Sequence, residues 1–449
     1  MQKKTGRRKF INTLSFAGLG VAIGAPQYTS ACDPDPKPAL LGGPKAHPGD
    51  FPGWPIFDAI EQDGLVGVLK SKQWGRLGGT VMPRFEQAYA KQLGAGYCVG
   101  VSSGTSALTT MLGALGIGPG DEVIIPVYTF IATYNVVVLN YALPVFVDTD
   151  IESFQVDANK IEAAITDQTK VIMPVHIGGS PADLDKIMEI GNRKNIPVIE
   201  DACQAHLAEW RGKKVGNYGL AGGFSFQSSK NLNCGEGGAI ITNDKQFATT
   251  CYTFHNQGQS GNSAAFNTGA GTRGTNLRLT EFQGSLLLSQ MKRLEAQSRR
   301  RTENADYLTQ LLQEIPGIVP AKLYTGTTQS AYHLYMFRYQ KDYFAGLDRT
   351  VFLKALSAEG IPCSPGYGAM NKSAYVTGLA QNTHYLKIYG EQTMREWLAR
   401  NECPQNDLLT NDQAIWFYQT MLLGSKTDME QIAAAIRKIQ KHAAALSSR

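Results

Sequence analysis

Several features are missing from this 449-residue chain, and each absence narrows the field. It has no CxxC pair and no grouping of His with Cys, so its seven cysteines form neither a zinc-type site nor a recognisable disulfide framework. It has no basic stripe: 43 Lys+Arg against 38 Asp+Glu leave a net charge of +5, which gives nucleic-acid binding little support. Internal repeats, heptads and low-complexity runs are also lacking, and the 47 glycines are scattered at turns. The apolar stretch near the N-terminus, residues 11–25, is shorter than the ~20 residues needed to cross a membrane and is interrupted by glycine. What remains is a globular chain, long enough for one large domain and a smaller one.

The N-terminus reads differently from the rest. In "GRRKFINTLSFAGLGVAIGAPQYTSAC", Arg7 and Arg8 stand ahead of the weakly apolar run, the pattern of a twin-arginine export signal. A plain basic N-terminus is the alternative. The stretch ends in Ser30, Ala31 and Cys32, which resembles a bacterial lipoprotein junction, with Thr29 where that pattern usually has Leu. Residues 1–32 therefore read as a signal peptide with a possible lipid anchor at Cys32, and the mature protein is expected in the periplasm or on the membrane. Residues 33–53, "DPDPKPALLGGPKAHPGDFPG", are rich in Pro and Gly and read as a linker.

From there a repeating grammar sets in. Apolar runs such as "EVIIPV", "LPVFVD", "KVIMPVHI" and "IPVIEDA" lack polar alternation, which marks strands buried on both faces. Helix-like stretches lie between them, at 158–165 and 182–194. The fold class is α/β with a mostly parallel sheet, and ligands gather at the carboxyl ends of such strands. A long helical pattern over 280–313 is stopped by Pro316 and Gly317. Beyond it, a strand "HLYMFRYQ", a helix at 348–359 and a last helix capped by Thr427 and Glu430 suggest a smaller α+β unit. The expected division is 54–305 for the large domain and 306–449 for the small one.

Three stretches fall where the strand ends are expected. "SSGTSAL" (102–108) opens a helix after an apolar segment, where free N–H groups attract an anion and Gly104 permits close approach. "VIEDACQAH" (198–206) puts Glu200 and Asp201 at the end of a buried strand, where a carboxylate needs a cationic partner. His206 is either a ligand or a satisfied structural histidine. "FSFQSSKNLNCGEGG" (224–238) sets Lys230 between serines and a glycine-rich turn, an odd place for a surface charge. A lysine that condenses with a carbonyl, an acid for a pyridinium nitrogen and a phosphate cradle together describe pyridoxal phosphate (PLP) chemistry.

The order and wording of "SSGTSAL", "GIGPGDEVIIPVYTFIAT", "PVHIGGSPADLD", "EDACQAH" and "FSFQSSKNLNCGEGGAIITND" resemble the DegT/StrS-type aminotransferases. The similarity runs from about Trp74 through the C-terminal helix. It implies fold type I, PLP, and transfer of an amino group from an amino acid, glutamate first, to a keto sugar or keto cyclitol. Lys230 matches the Schiff-base lysine that moves the substrate proton, Asp201 the partner of the ring nitrogen, and Gln204 a residue near the phenolic oxygen. Phe130 matches an aromatic stacked on the ring, with a core role as its alternative. Gly104, Thr105 and Ser225 match phosphate contacts. Asn276 matches a phosphate contact in the neighbouring subunit, which implies a homodimer with shared sites. Lysine at 230, where dehydrating relatives carry histidine, favours transamination over a PLP-dependent sugar dehydratase. A sensor or carbohydrate-binding lipoprotein without turnover would be expected to lose Lys230 or Asp201. The glycine-rich stretch 256–274 has no counterpart in the motifs, and the apparent export signal departs from a generally cytoplasmic family.

Overall fold

The four apolar runs read as strands join three others in one seven-stranded sheet. In the computed structural model, which describes residues 36–259 and 273–447, the strands are β1 (Tyr97–Val101), β2 (Glu122–Pro126), β3 (Leu143–Val147), β4 (Thr169–Ile172), β5 (Ile199–Asp201), β6 (Ala221–Ser225) and β7 (Gly238–Thr242). Pairing gives β3-β2-β4 and β5-β6-β7-β1, and parallel bridges Ile172 to Val198 and Val175 to Asp201 join the two runs. Only β7 runs against its neighbours. Every residue of β2, β3, β6 and β7 is buried, as a sheet covered by helices on both faces requires.

The helices are α1 (Gly104–Ala114), α2 (Ile131–Val138), α3 (Ala158–Ala164), α4 (Leu184–Lys194), α5 (Glu281–Gln313), α6 (Arg349–Ala358) and α7 (Lys426–Lys441), and all but α2, which the sequence reading does not anticipate, lie close to where the sequence puts them. Helix α5 begins at a capping box in which Gln283 Oε1 accepts from the Thr280 N–H at 3.0 Å. It runs unbroken across the boundary expected at 305/306. The C-terminal part adds an antiparallel sheet of β8 (Ile318–Pro320), β9 (Leu334–Tyr339) and β10 (Ala414–Tyr418), with α5, α6 and α7 packed around a second apolar core.

Two expectations need correction. The capping box of α7 is not Thr427 with Glu430 but Ser425 with Asp428, one half-turn earlier. Glu430 instead accepts from the Tyr307 hydroxyl at 2.7 Å. The second concerns the linker: Lys37–Arg449 form one unit, and residues 37–53 are docked within it. The buried Glu359 carboxylate accepts from the N–H groups of Ala39 and Ala46, each at 2.8 Å, and pairs with Lys438 Nζ at 2.6 Å. His47 stacks on Phe51 and bonds Asp428 at 3.0 Å. Two backbone donors and one ammonium satisfy a carboxylate that would otherwise be costly to bury. The segment is thus a strap on the small-domain core. Arg7, Arg8, Ser30, Ala31 and Cys32 lie outside the described residues, as does most of the glycine-rich stretch.

Six cysteines are described, all unbridged, and four of them (Cys98, Cys234, Cys251 and Cys403) are buried. Among the described residues no His, Cys and carboxylate group could hold a metal, and no helix is long and apolar enough to cross a membrane.

Candidate active site

The carboxyl ends of β1, β2, β5 and β6 open onto one cavity of about 700 Å³. Seven of the eight residues singled out from the sequence line it: Gly104, Thr105, Phe130, Asp201, Gln204, Ser225 and Lys230. Asn276 does not. It lies exposed outside the cavity, its side-chain carbonyl accepting weakly from the Arg278 N–H at 3.4 Å.

The period of a strand explains why adjacent acids at the end of β5 have different tasks. Glu200 turns into the protein and accepts from the N–H groups of Gly216, Tyr218 and Gly219 at 2.6 to 2.9 Å and from His176 at 3.0 Å. Burial pushes its pKa up, but His176 and the backbone donors outweigh that and hold it below the ordinary carboxylate value. Asp201 turns the other way, into the cavity. It accepts from the Thr133 hydroxyl at 2.9 Å and the Cys203 N–H at 3.2 Å, both neutral donors. A carboxylate so placed suits a cationic ligand group.

Lys230 stands on the loop between β6 and β7, in a turn closed by its N–H to the Gln227 carbonyl at 2.8 Å. Gly235, at φ +90°, turns the chain back, and a Cβ at Gly238 would lie 2.3 Å from the Ser103 carbonyl oxygen. The glycines let the loop return directly beneath the start of α1. Burial pushes the Lys230 amine below the ordinary lysine value, with Cys203 and Asp201 opposing. Its Nζ reaches His333 Nε2 at 3.4 Å. His333 Nδ1–H donates to Asn231 Oδ1 at 3.2 Å, and Asn231 Nδ2 in turn donates to the Ala331 carbonyl at 2.7 Å, which fixes the tautomer. Burial and the nearby Lys230 hold His333 neutral, well below the usual imidazole value. The amine is oriented by an acceptor without being locked in an ion pair.

The start of α1 supplies the anion cradle. The Ser103 hydroxyl caps the helix by accepting from the Ser106 N–H at 3.0 Å. The N–H groups of Gly104 and Thr105 precede the first intrahelical donor and have no acceptor among the described residues. A Cβ at Gly104 would lie 2.7 Å from Ser225 Cβ and 2.8 Å from Cys203 Sγ, so only glycine fits this wall. Cradle, acid and amine line one cavity and together supply the roles that a phosphorylated pyridine aldehyde requires.

Phe130, 55% exposed, stands at the cavity mouth before α2, so the core-aromatic alternative fails. Gln204 is held from both ends: Oε1 accepts from the Gly178 N–H and Nε2 donates to the Tyr367 hydroxyl, each at 2.8 Å. His206 is structural. Its Nε2–H donates to the Ser225 carbonyl at 2.8 Å and its Nδ1 accepts from the Tyr89 hydroxyl at 3.0 Å, while burial pushes it down to about 3. Sequence reading missed Thr133, His333, Tyr367 and Trp54, which come from an unremarkable helix turn, a strand edge, a loop and the position just after the N-terminal strap.

Comparison with known proteins decides the family. The profile of the DegT/DnrJ/EryC1/StrS aminotransferase family matches residues 56–398. The chain belongs to that family. It is 35% identical over 418 residues to an L-glutamine:2-deoxy-scyllo-inosose aminotransferase of Streptoalloteichus tenebrarius, covering 90% of this chain and 97% of the relative. The crystal structure of 3-amino-5-hydroxybenzoic acid synthase matches with a TM-score of 0.76 at 32% identity, covering 88% of this chain and 99% of that one. The crystal structure of S. venezuelae DesV in complex with a ketimine intermediate matches with a TM-score of 0.69 at 28% identity, covering 87% of this chain and 99% of that one. The protein is therefore an aminotransferase of fold type I, and its family implies PLP as cofactor.

Proposed function

We propose that the protein transfers the amino group of an amino acid to the carbonyl of a keto sugar or keto cyclitol, giving a 2-oxo acid and an amino sugar or aminocyclitol. The observation that supports this most directly is the meeting of Lys230, Asp201 and the open start of α1 in one cavity. The relative from Streptoalloteichus names L-glutamine as donor, which puts glutamine ahead of glutamate as the first donor to test. PLP fits the residues present: Gly104, Thr105 and Ser225 for the phosphate, Asp201 for the ring nitrogen, Phe130 for the ring face and Gln204 for the phenolic oxygen. What PLP supplies when bound is an aldehyde that accepts the amino group and a ring that withdraws electrons from the reacting carbon. Lys230 Nζ, freed by burial to lose its proton, takes and returns the proton at the amino-bearing carbon. Asp201 would hold a proton on the ring nitrogen of the bound cofactor. A screen of the purified holoenzyme against keto sugars and keto cyclitols, with glutamine and glutamate as donors and mass spectrometry as readout, tests the reading. No amino product from any pair would refute it.

The working unit we propose is a homodimer. Phe57, Ile60 and Leu69 are exposed on and beside the helix Ala59–Ser71, and Trp74 and Leu77 follow, exposed apolar side chains of the kind that a partner covers. Asn276 stands outside its own cavity, where only a second chain would give it a phosphate to bind. Mixing Lys230→Ala with Asn276→Ala chains should restore activity, because one site of each heterodimer is then intact. A strictly monomeric active enzyme would refute the dimer. We further propose export by the twin-arginine route, with Cys32 as the anchor, on the strength of Arg7, Arg8 and the Ser30-Ala31-Cys32 junction. Replacing both arginines by lysine should leave a cofactor-loaded precursor in the cytoplasm, and Cys32→Ala should release the exported protein from the membrane. An intact full-length chain, soluble in the cytoplasm of its native host, would refute both.

A further inference from the structure

Gln419 follows β10 and lines the same cavity as Lys230. Its Oε1 accepts from Arg301 Nε at 2.9 Å and from Nη2 at 2.5 Å. A guanidinium has only donors, so this clamp fixes the amide orientation and turns the NH₂ away from α5. No described residue accepts from that NH₂. Arg301 is itself unusual: it is 0% exposed, faces no carboxylate among the described residues and leaves Nη1 without an acceptor. Its Cζ lies 5.4 Å from the ring centroid of Trp54, another cavity residue. Burial pushes Arg301 down to about 9, and its charge reaches His333, the residue touching Lys230. A buried cation without a counter-ion is expensive. The cavity wall beside the reactive amine therefore presents an unused amide donor backed by an unneutralised positive charge.

The complement of such a wall is an anionic oxygen. Of the two reactants, the amino acid brings a carboxylate on the reacting carbon, whereas a keto sugar or keto cyclitol brings neutral hydroxyls around its reacting carbonyl. We infer that Gln419, held from behind by Arg301, recognises the α-carboxylate of the amino donor. The inference rests on the transamination reading above. Arg301 acts through Gln419 and is a positioning residue; the donor's carboxylate also lies in the field of its charge.

The test separates the two half-reactions, each followed by cofactor absorbance, in wild type, Gln419→Glu and Gln419→Asn holoenzymes. Glutamate at 419 places a carboxylate against Arg301, and asparagine shortens the donor. In both variants the glutamine concentration giving half-maximal rate should rise at least about tenfold, as loss of a hydrogen bond to a charged group implies. The limiting rate should stay within about threefold, and the keto-acceptor half-reaction should keep its concentration dependence. Wild type should prefer glutamine to its decarboxylated analogue, and the variants should lose that preference. Equal weakening in both half-reactions, or an unchanged glutamine dependence, would overturn the inference and leave transamination standing. A wild-type enzyme that no amino acid converts would overturn the transamination reading, and the inference with it. If Gln419→Glu does not fold, Gln419→Asn decides alone.

Discussion

Asp201→Asn is the substitution that most directly weighs electrostatics against packing in this site. The native carboxylate has two donors, the Thr133 hydroxyl at 2.9 Å and the Cys203 N–H at 3.2 Å. Asparagine has nearly the same volume; its carbonyl oxygen can keep the Cys203 N–H, now on Oδ1, while the Thr133 hydroxyl, now on Oδ2, can turn to accept from the amide NH₂. The fold therefore loses little, and thermal stability and cofactor content should stay near those of the wild type. What disappears is the negative charge that Asp201 would offer to the ring nitrogen of bound PLP. Removing the buried partner of a cation costs ~3–5 kcal/mol. At ~1.36 kcal/mol per tenfold in rate, the donor half-reaction should slow by roughly two to four powers of ten.

A matched control comes from Thr133→Val, which removes one neutral hydrogen bond to the same carboxylate and leaves its charge. That bond contributes ~0.5–1.5 kcal/mol, so the slowing should be about two- to twelvefold. Rapid mixing of each cofactor-loaded variant with glutamine, followed by the loss of cofactor absorbance, gives both rates. If Asp201→Asn reacts within about threefold of wild type with full cofactor content, some other group does this work. If Thr133→Val slows as much as Asp201→Asn, the loss is one of geometry rather than charge.

Three other expectations follow from the same geometry. Lys230→Ala should abolish turnover, and borohydride should attach the cofactor to the Lys230 peptide in wild type alone; labelling elsewhere would refute the assignment. Glu359→Gln should destabilise the protein by ~3 kcal/mol or more, because Lys438 loses its buried partner, and should expose residues 37–53 to protease; an unchanged melting temperature would show that the strap is held by other contacts. His206 and His255 are held down to about 3 by burial, against 6.5 for the free side chain, so the unfolded chain binds more protons between those values. Stability should therefore fall as pH drops below 6.5, by ~1.4 kcal/mol per pH unit for each histidine. A urea midpoint that does not move between pH 7 and pH 5 would contradict this.

The parts of the site that were legible in the sequence share a physical property: each is specified by its immediate neighbours. Asp201 ends a buried strand, Gly104 opens a helix, and Lys230 sits in a turn whose glycines permit one close approach, at Gly238 beside the Ser103 carbonyl. Short-range constraint leaves a short-range signature. Local rules fail where two local answers are equally good. Ser425 with Asp428 and Thr427 with Glu430 both fit a hydroxyl three residues before an acid, and only tertiary packing, with Glu430 drawn to Tyr307, separates them. The strap at 37–53 is a further case, because its Pro and Gly content describes how the chain bends and says nothing of Glu359, more than 300 residues away.

Distance in the chain also explains which cavity residues were not legible. His333, Tyr367 and Trp54 are ordinary residues in ordinary contexts until the fold brings them to the strand ends. Arg301 illustrates the limit best. In sequence it is the third of three consecutive arginines on a polar helix, and the first reading of such a run is a solvated face. In the structure it is among the largest fully buried side chains, bound to Gln419 more than a hundred residues downstream. The spacing of Leu294, Ala305, Leu308 and Leu312 puts position 301 on the buried stripe of α5 and leaves Arg299 exposed, but spacing alone does not say what a guanidinium buried there would bind. The family's cofactor chemistry is written in contiguous motifs, because the cofactor is small and sits where strands end. The choice of substrate depends on walls assembled from segments far apart in the chain. Reading that choice requires asking which polar group the fold buries and then leaves unpaired, and in this protein the question leads to the guanidinium behind Gln419.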